Sequence, residues 1–589
     1  MLMLKLLQRR WFFAAAVVLG LLLVLPALAA GFVADDYMFL HRLDVQGHAA
    51  SLRLYEFADG RPGQHARMMS ERFAAFPWWV SDDFKVRFFR PLSSGLFALD
   101  HAVFGRAPLG YHVHSLIWYA GLLATVGAFL RKVCPAPTWQ LAFLLFVLSG
   151  AHAESAAWLA SRHVLVSAVP ALLGLLALVA QRENGFRFGV PLALLGLLVA
   201  FLGGESALIA ACYWLAYEAF GVPHASLQQK AQRLLLPLAC VAVYLLLYRR
   251  FGYGASGSAV YLEPASLAFW QQLPARLAML LGELFTGLPS NLSLTTLPAF
   301  GSAVGVVATL AVALGLRSLW PSLEGSERRC VRWLSAAAVA SLVLGSGAFL
   351  GSRLLLMPGI SGLVIVAVVL RHGWQRVRSG VGALGRRALV FGLAFVHLVG
   401  APLLLVANCV LLRQLGVANL SVDTALDAHF AQHREHASRP PQVFVLAASD
   451  PFTAFYGASV RVARAPDSTG QWSVLSMARG THRIERTAAN QLVVQNDAGF
   501  LRSIFEGLFR ATAQSFSVGD RAELLGAHVT VLAVTDGHPT SIRLTLNNGS
   551  FDDASVCLLA WRAGRLVPVD LSLHQSLSIP WSPGPTGLL

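Results

Sequence analysis

Long apolar runs are the feature that most constrains how this chain can fold. Eleven stretches are long enough, or nearly so, to cross the roughly 30 Å hydrocarbon core of a bilayer. Only 13% of the residues are charged, against about 25% in soluble domains, and the mean hydropathy is +0.59. The sequence therefore predicts an all-α polytopic membrane protein with about eleven transmembrane helices. The runs are 11–30, 110–130, 138–151, 164–180, 188–203, 205–220, 232–249, 297–316, 333–350, 354–370 and 387–411.

The number of transmembrane helices depends on two stretches, one outside the eleven runs and one that is the first of them. Residues 275–290 are apolar but short and contain Arg276, Glu283 and Pro289, which predicts an interfacial or re-entrant helix. The first run follows Lys5 and two arginines, a pattern shared by signal peptides and membrane anchors. Because the run exceeds a usual signal core, we expect a retained anchor. Either interpretation places the following residues outside the cytoplasm.

Basic residues predict the orientation of the bundle. The formal net charge is +15, and the whole excess lies before Arg413, because basic and acidic residues are equal in number from Arg413 to the end. Basic residues confined to a membrane region mark cytoplasmic loops, so we expect no nucleic-acid partner. A cytoplasmic N-terminus and eleven spans place most of these residues inside and the C-terminal part outside. The abundance of Arg over Lys fits a bacterial inner membrane.

The hydrophobic pattern divides the chain into three parts. Residues 1–412 form the membrane domain, with a long outer loop at 31–109 in which amphipathic Met68–Val80 suits Trp78 and Trp79 to the membrane interface. Residues 413–441 are a helix and a polar linker, and 442–589 a β-rich extracytoplasmic domain with one helix at Phe500–Ala511. The predicted strands are Val443–Leu446, Gln491–Gln495, Ala527–Val534, Ser541–Leu546 and Ser555–Trp561.

The six cysteines indicate neither a disulfide framework nor a zinc site. They are Cys134, Cys212, Cys240, Cys330, Cys409 and Cys557, and no two have the spacing of a metal-binding pair.

An acidic pair directly follows the first run. Asp35 and Asp36 lie at the predicted outer surface, where two adjacent carboxylates repel each other and lose hydration. Such a carboxylate can accept a proton from an acceptor hydroxyl or hold a divalent cation. The alternative is a helix cap or the solvated start of a loop.

Other ionisable residues fall in the remaining predicted outer loops. Arginine and histidine can bind a lipid phosphate there, arginine in bidentate geometry. The alternatives are anchoring at the interface, a helix cap for the glutamate before the sixth run, and snorkelling at a helix end. These residues are His152, Glu154, Arg162, His163, Glu205 and Arg353, whereas Arg90, late in the first outer loop, is by itself only part of a basic turn at the membrane interface. Acids near a hydroxyl and cations near an anionic leaving group suit sugar transfer from a polyprenyl phosphate.

The order of these motifs resembles the GT-C superfamily of polyprenyl-phosphate-sugar-dependent glycosyltransferases, most closely the protein O-mannosyltransferase branch, especially the cadherin-type transmembrane enzymes and their bacterial relatives. The acidic pair after the first span matches, as do Arg90-Pro91-Leu92 before the second and Gly110-Tyr111-His112 at its start. The third loop is shortened to His152-Ala153-Glu154 and ends in Ser161-Arg162. Gly204-Glu205 precedes the sixth span, and Ser352-Arg353 begins a segment ending in Met357-Pro358-Gly359, without the family's Tyr and preceding Glu.

The resemblance implies an inverting transfer of a hexose from a lipid-linked donor that enters from the bilayer. It makes Asp35 the base, gives Asp36 an orienting or cation-binding role, and gives Arg353, Arg162 and His152 the donor phosphate. Glu154, Glu205, Arg90 and His163 are further candidates. No cofactor is required, although the acidic pair leaves room for a divalent cation. The acceptor, whether glycan, lipid or protein, stays open.

Two other functions remain in competition. A transporter or flippase for a lipid-linked sugar would share the apolar bulk and the outer cations, but it predicts repeated halves and ionisable groups near the midplane. A membrane-anchored binding or assembly protein would work through residues 442–589. Convergence of Asp35, Arg162 and Arg353 in one outward cleft favours transfer over both.

Overall fold

A computed structural model of the chain describes residues 7, 9–70, 76–223, 225–380, 384–433, 441–464 and 470–584. Eighteen helices occupy the described part up to residue 433. They are α1 Phe12–Leu23, α2 Asp35–Gln46, α3 Gln64–Ser70, α4 Pro91–Phe104, α5 Pro108–Val133, α6 Thr138–Val147, α7 Ala153–Ala157, α8 His163–Asn184, α9 Gly189–Gly203, α10 Ala207–Ala216, α11 Leu227–Arg250, α12 Leu267–Thr286, α13 Ser290–Thr296, α14 Pro298–Leu319, α15 Gly325–Gly345, α16 Leu356–Arg378, α17 Leu384–Phe395 and α18 Ala401–His433.

All eleven predicted runs are helical, but fewer of them have the length and apolarity of a full span. Among the described residues, seven helical segments meet both criteria. An eighth is reached if α6 and the segment Gly150–Ala157, which meet at a 52° bend, count as one span. This number is lower than the expected count of about eleven. The helices α9 and α10 are too short to meet the length criterion, and α15 begins with a charged turn. The all-helical membrane architecture itself is confirmed.

Several helix boundaries differ from the sequence prediction. The stretch predicted as a short helix at 275–290 belongs to the 20-residue helix α12, which buries both Arg276 and Glu283. The helix predicted from residue 413 continues the last apolar run, since α18 extends unbroken to His433. The polar linker at 434–440 lies outside the described residues. Phe12 and Phe13 of α1 pack on the rings of Trp139 and Phe143.

A three-stranded antiparallel sheet connects two of the outer loops. Strands β1 (Glu56–Asp59) and β2 (Lys85–Arg87) come from the loop at 31–109, and β3 (Gly254–Ser256) follows α11. β2 pairs with both neighbours. The long outer loop therefore has its own secondary structure and is tied to the segment between α11 and α12.

The C-terminal part contains two sheets and three short helices. The strands are β4 Gln442–Ala447, β5 Gln471–Val474, β6 His482–Ala488, β7 Gln491–Asn496, β8 Arg521–Leu524, β9 Ala527–Thr535, β10 His538–Leu546, β11 Val556–Arg562, β12 Arg565–Pro568 and β13 Ser576–Ile579, and the helices are α19 Pro451–Ala454, α20 Tyr456–Arg464 and α21 Ile504–Gly507. All five predicted strands are present. The helix predicted at Phe500–Ala511 is only the single turn α21.

The two C-terminal sheets differ in topology. The six-stranded sheet, in the order β13-β6-β7-β10-β9-β8, is antiparallel, whereas β11-β4-β5 in the four-stranded sheet run parallel. Because parallel neighbours need a crossover connection, α19 and α20 lie between β4 and β5. The sequence did not predict this crossover. The crossover places α20 against α2 of the helical bundle.

The outer loop packs on the C-terminal part rather than on lipid. Trp78 and Trp79 are 2% and 1% exposed and share a hydrophobic core with the C-terminal sheets. Their indole N–H groups donate to the carbonyl oxygens of Leu475 (3.0 Å) and Glu506 (3.1 Å). The prediction that they lie in the membrane interface is therefore wrong. Amphipathicity alone does not distinguish a lipid surface from a protein surface, and part of Met68–Val80 (71–75) lies outside the described residues.

One disulfide is present where none was expected. Cys134, after α5, is bonded to Cys330 in α15, with a Cα–Cα distance of 5.9 Å. The two cysteines are 196 residues apart. Their pairing depends on helix packing that spacing along the chain does not reveal.

Candidate active site

The acidic pair begins α2 immediately after a strained residue. Ala34 has φ of +53°, a conformation that residues with a Cβ rarely adopt. Strain of this kind persists where the surrounding structure imposes it, commonly at functional sites. Here it turns the chain from the first apolar helix into α2 and leaves Asp35 partly exposed beside the fully buried Asp36.

Asp36 connects α2 to the loop before α8. Its Oδ2 accepts the N–H of Val33 at 2.9 Å, and its Oδ1 accepts the N–H of Ala160 at 2.8 Å. Burial raises the pKa of Asp36 to about 8, with a smaller contribution from the charge of Asp35. Both oxygens are therefore committed to the backbone, which suits an orienting role better than direct contact with substrate.

Asp35 is the more available of the two carboxyl groups. Its Oδ1 accepts the phenol hydroxyl of Tyr456 at 2.8 Å. Burial raises the pKa of Asp35, while the hydrogen bond from Tyr456 and the positive charges of Arg353, Arg42 and Arg90 oppose that rise. A carboxyl group with a raised pKa beside several cations has the properties of a general base that works near neutral pH.

Arg353 is one of the cations that act on Asp35, although it lies in the turn before α16. Its Nη1 donates to Glu154 at 3.1 Å, and its guanidinium lies 5.9 Å from the ring centroid of Trp158. Both side chains of this ion pair remain about one-fifth exposed. A second hydrogen bond orients the same turn, because the hydroxyl of Ser352 donates to the buried Glu283 at 2.5 Å.

Arg90 and Glu205 form a second ion pair at the site. The Nε of Arg90 donates to Glu205 at 2.8 Å, and the backbone N–H of Phe89 and the hydroxyl of Tyr248 donate to the same carboxylate. Gly204 has φ of +152°, and a Cβ there would lie 3.2 Å from the Arg90 side chain. The two residues are thus tied together where α4, α10 and α11 meet.

The other predicted phosphate ligands are engaged elsewhere. Arg162 is 2% exposed and pairs with Asp100 at 2.6 Å, while Asp100 also pairs with His114 at 2.6 Å. His152 is 1% exposed, and its Nδ1 is 2.9 Å from the hydroxyl of Tyr119. Both side chains are buried, and each lies against a buried partner, so neither is exposed to a phosphate in the way that Arg353 is. His163 is also buried, with its ring against Tyr55.

The described residues give the acidic pair no additional metal ligands. Within them, no group of three or more His, Cys, Asp or Glu side chains is arranged to hold a metal ion. Asp35 and Asp36 would supply two carboxyl groups, but each oxygen of the Asp36 carboxyl group already accepts a backbone N–H group.

Tyr456 and Tyr261 are the site residues that sequence reasoning missed. Both are partly buried, and each is close enough to Asp35 for the two to perturb one another's pKa. Tyr456 belongs to α20, in the part of the chain where no motif pointed to chemistry. Its aromatic neighbours Phe452 and Phe455 were the only signal in the sequence.

Comparison with known proteins yields distant similarity to solved structures alone. No family model matches the chain, and no curated protein matches it either. Among solved structures, it is similar to ArnT from Cupriavidus metallidurans, which was crystallised bound to undecaprenyl phosphate. The sequences are 13% identical over 79% of this chain and 88% of the other, with a TM-score of 0.33. That similarity is too low to transfer any residue role.

Proposed function

We propose that this chain is a membrane glycosyltransferase that moves a sugar from a polyprenyl-phosphate donor to an acceptor hydroxyl. The observation that carries the proposal is the convergence of Asp35 with Arg353 and Arg90, which come from three distant parts of the sequence. A base beside cations, partly exposed and otherwise surrounded by protein, is what transfer from an anionic leaving group requires.

Each group has a role in the transfer. The acceptor oxygen attacks C1 of the sugar while the bond from C1 to the phosphate oxygen breaks, and the acceptor proton passes to Asp35. Negative charge develops on the departing polyprenyl phosphate, where the guanidinium of Arg353 can meet it with two N–H donors. Attack from the side opposite the phosphate inverts the configuration at C1.

Glu154 keeps Arg353 compensated before the donor arrives. A guanidinium that is four-fifths buried is costly without a partner. A phosphate that enters the site can take the place of the Glu154 carboxylate on Arg353, or bind the same guanidinium beside it. Arg90 is held more firmly by Glu205, so we assign it the role of maintaining positive potential near Asp35. Asp36 orients the helix that carries the base.

The residues that are buried with other partners take structural roles in this proposal. Arg162 and Asp100 form a buried ion pair between α4 and the loop before α8, and the partly exposed His114 of α5 contacts Asp100. The positive charge of Arg162 also acts on Asp36, whose pKa it lowers. His152 packs on Tyr119 and Phe146 in the bundle core. We therefore assign the donor phosphate to Arg353 alone among the three residues first considered.

The distribution of basic residues supports an active site on the extracytoplasmic face. With a cytoplasmic N-terminus, Asp35 lies on the outer side of the membrane, directly after the first span. The C-terminal sheets pack on the outer loop and would therefore lie on the same side. The excess of Arg over Lys fits a bacterial inner membrane. The resemblance to protein O-mannosyltransferases makes a protein hydroxyl one candidate acceptor, beside glycans and lipids.

The proposal is tested with a panel of radiolabelled polyprenyl-phosphate sugars and the purified full-length protein. We expect the wild type to consume at least one donor and release polyprenyl phosphate. Asp35→Asn should lower that rate by about 10²-fold or more, the usual contribution of a general base. Asp44→Asn, on the same helix but paired with Arg106 at the surface, is the matched control. Failure of the wild type to consume any donor, or near-normal turnover by Asp35→Asn, would refute the proposal.

A further inference from the structure

The C-terminal part reaches the proposed base through one side chain. Tyr456 is the first residue of α20, and its hydroxyl donates to Oδ1 of Asp35 at 2.8 Å. In the described part of the chain, this is the only hydrogen bond that the Asp35 side chain accepts. The carboxylate that we propose as the base is thus occupied by a hydroxyl group.

The helix that carries Tyr456 is firmly anchored at its other end. Arg461 donates to Asp423 (3.2 Å) and to Asp427 (2.9 Å) of α18, and Arg464 donates to Asp423 (3.1 Å). Val460 and Ala463 pack in a hydrophobic cluster with residues of α2. The position of the helix is therefore set by these contacts, whereas its first residue, Tyr456, lies at the partly exposed site.

A phenol that donates to a carboxylate has the geometry that an acceptor hydroxyl needs. A general base must lie about 2.6–3.2 Å from the oxygen whose proton it takes, and Tyr456 meets this criterion. Burial raises the pKa of Tyr456 well above its usual range, with Asp35 adding to the rise. The phenol therefore stays protonated and acts as a hydrogen-bond donor rather than as a nucleophile.

We propose that the hydroxyl of Tyr456 holds the place on Asp35 that the acceptor hydroxyl takes during transfer. This inference rests on the proposed function. It locates the acceptor subsite at the junction of α2 and α20, so the acceptor enters beside the C-terminal part and displaces the phenol. While no acceptor is bound, Tyr456 keeps water from Asp35 and thereby limits wasteful hydrolysis of the donor.

The first test measures donor hydrolysis without acceptor, using full-length protein and a radiolabelled donor that the wild type consumes. Tyr456→Phe removes one oxygen atom and opens Asp35 to water, so we expect hydrolysis to rise about tenfold, the factor that one hydrogen bond to a charged group represents. Tyr253→Phe is the matched control, because Tyr253 donates to a different carboxylate, Glu56, at 3.2 Å. That control should hydrolyse donor at the wild-type rate.

The second test shows whether the gain acts through Asp35. The double variant Asp35→Asn with Tyr456→Phe should lose the added hydrolysis, because no base remains for water to reach. The pH dependence of kcat/KM for hydrolysis supplies a further readout. Loss of the phenol hydrogen bond should shift the acid limb of Tyr456→Phe to higher pH. The charged and titratable groups that face Asp35 are otherwise unchanged: Asp36, Arg42, Arg90, Tyr261 and Arg353.

The outcomes separate this inference from the proposed function. Hydrolysis by Tyr456→Phe at or below the wild-type rate, with the acid limb unmoved, would overturn the inference while the function stands. A gain that persists in the double variant would also overturn it. If the wild type consumes no donor, the proposed function fails and the acceptor subsite fails with it. Melting temperatures of each variant show whether its fold is intact.

Discussion

At the scale of single residues, the site depends on one carboxyl group whose surroundings adjust its proton affinity. Asp35 and Asp36 are adjacent in sequence, yet they meet different environments. Asp36 is fixed by two backbone N–H groups, whereas Asp35 faces a phenol and three arginines. Two carboxyl groups in contrasting environments can take distinct roles, and our proposal gives Asp36 the orienting role and Asp35 that of the base.

The raised pKa of Asp35 predicts the pH dependence of activity. The base must be ionised, so kcat/KM for the donor should fall as the pH drops through the pKa of Asp35. Because burial raises that pKa above 3.8, the acid limb should lie above the ordinary range of an aspartate. Donor consumption measured across the pH range of stability checks this. Activity that stays constant down to pH 4 would contradict the assignment.

At the scale of elements, ion pairs hold the helix ends around the cleft. The carboxylate of Glu205 accepts hydrogen bonds from Arg90 before α4, from the backbone N–H of Phe89 and from the hydroxyl of Tyr248 in α11. Arg353 and Glu154 join the turn before α16 to α7. The apolar surfaces of the helices position the bundle broadly, and these polar contacts determine which ends meet at the site.

Removing the charge of Glu205 should loosen three elements at once. We expect Glu205→Gln to lower the free energy of unfolding by about 1–3 kcal/mol, because Arg90 loses the partner for its largely buried charge. The measurement is a melting temperature in detergent, where the loss should appear as a clear decrease. Glu263→Gln, at an exposed position before α12, is the control and should melt like the wild type. Equal melting temperatures for both variants would show that the Glu205 contacts add no stability.

Helices were predictable from the sequence because apolar runs in a membrane leave the backbone no other way to satisfy its hydrogen bonds. Their ends were less predictable, since the bend after α6 and the continuation of α18 depend on packing. The same limit applies to the site. The grouping of Asp35 with Arg353 followed from topology, but the pairing of Arg162 with Asp100 did not, because loop sequence does not reveal which partner a charge will find.

At the scale of the whole molecule, the outer loop and the C-terminal part are one packed unit above the bundle. Trp78 and Trp79 are buried between them, and α20 is clamped to α18 and packs on α2. The C-terminal part was predicted to be a separate domain, and its independence remains a prediction. The contact between Tyr456 and Asp35 makes that part a contributor to the site.

Removing the side chain of Trp79 should weaken the packing of the outer loop on the C-terminal part. Loss of a buried tryptophan typically costs about 3–5 kcal/mol, so we expect Trp79→Ala to expose the C-terminal part to limited proteolysis well before the wild type is cut. Trp270→Ala is the control, because Trp270 is 57% exposed. Indistinguishable digestion of the two variants would show that the outer loop does not hold the C-terminal part in place.

The most direct measurement is a cryo-EM structure of the full-length protein with a non-hydrolysable polyprenyl-phosphonate sugar. We predict that the phosphonate oxygens lie about 3 Å from the guanidinium of Arg353, within hydrogen-bond distance. C1 of the sugar should face Asp35, on the side opposite the phosphonate. A headgroup bound at the other end of the bundle, or one whose phosphonate does not contact Arg353, would contradict the proposed sugar-transfer site.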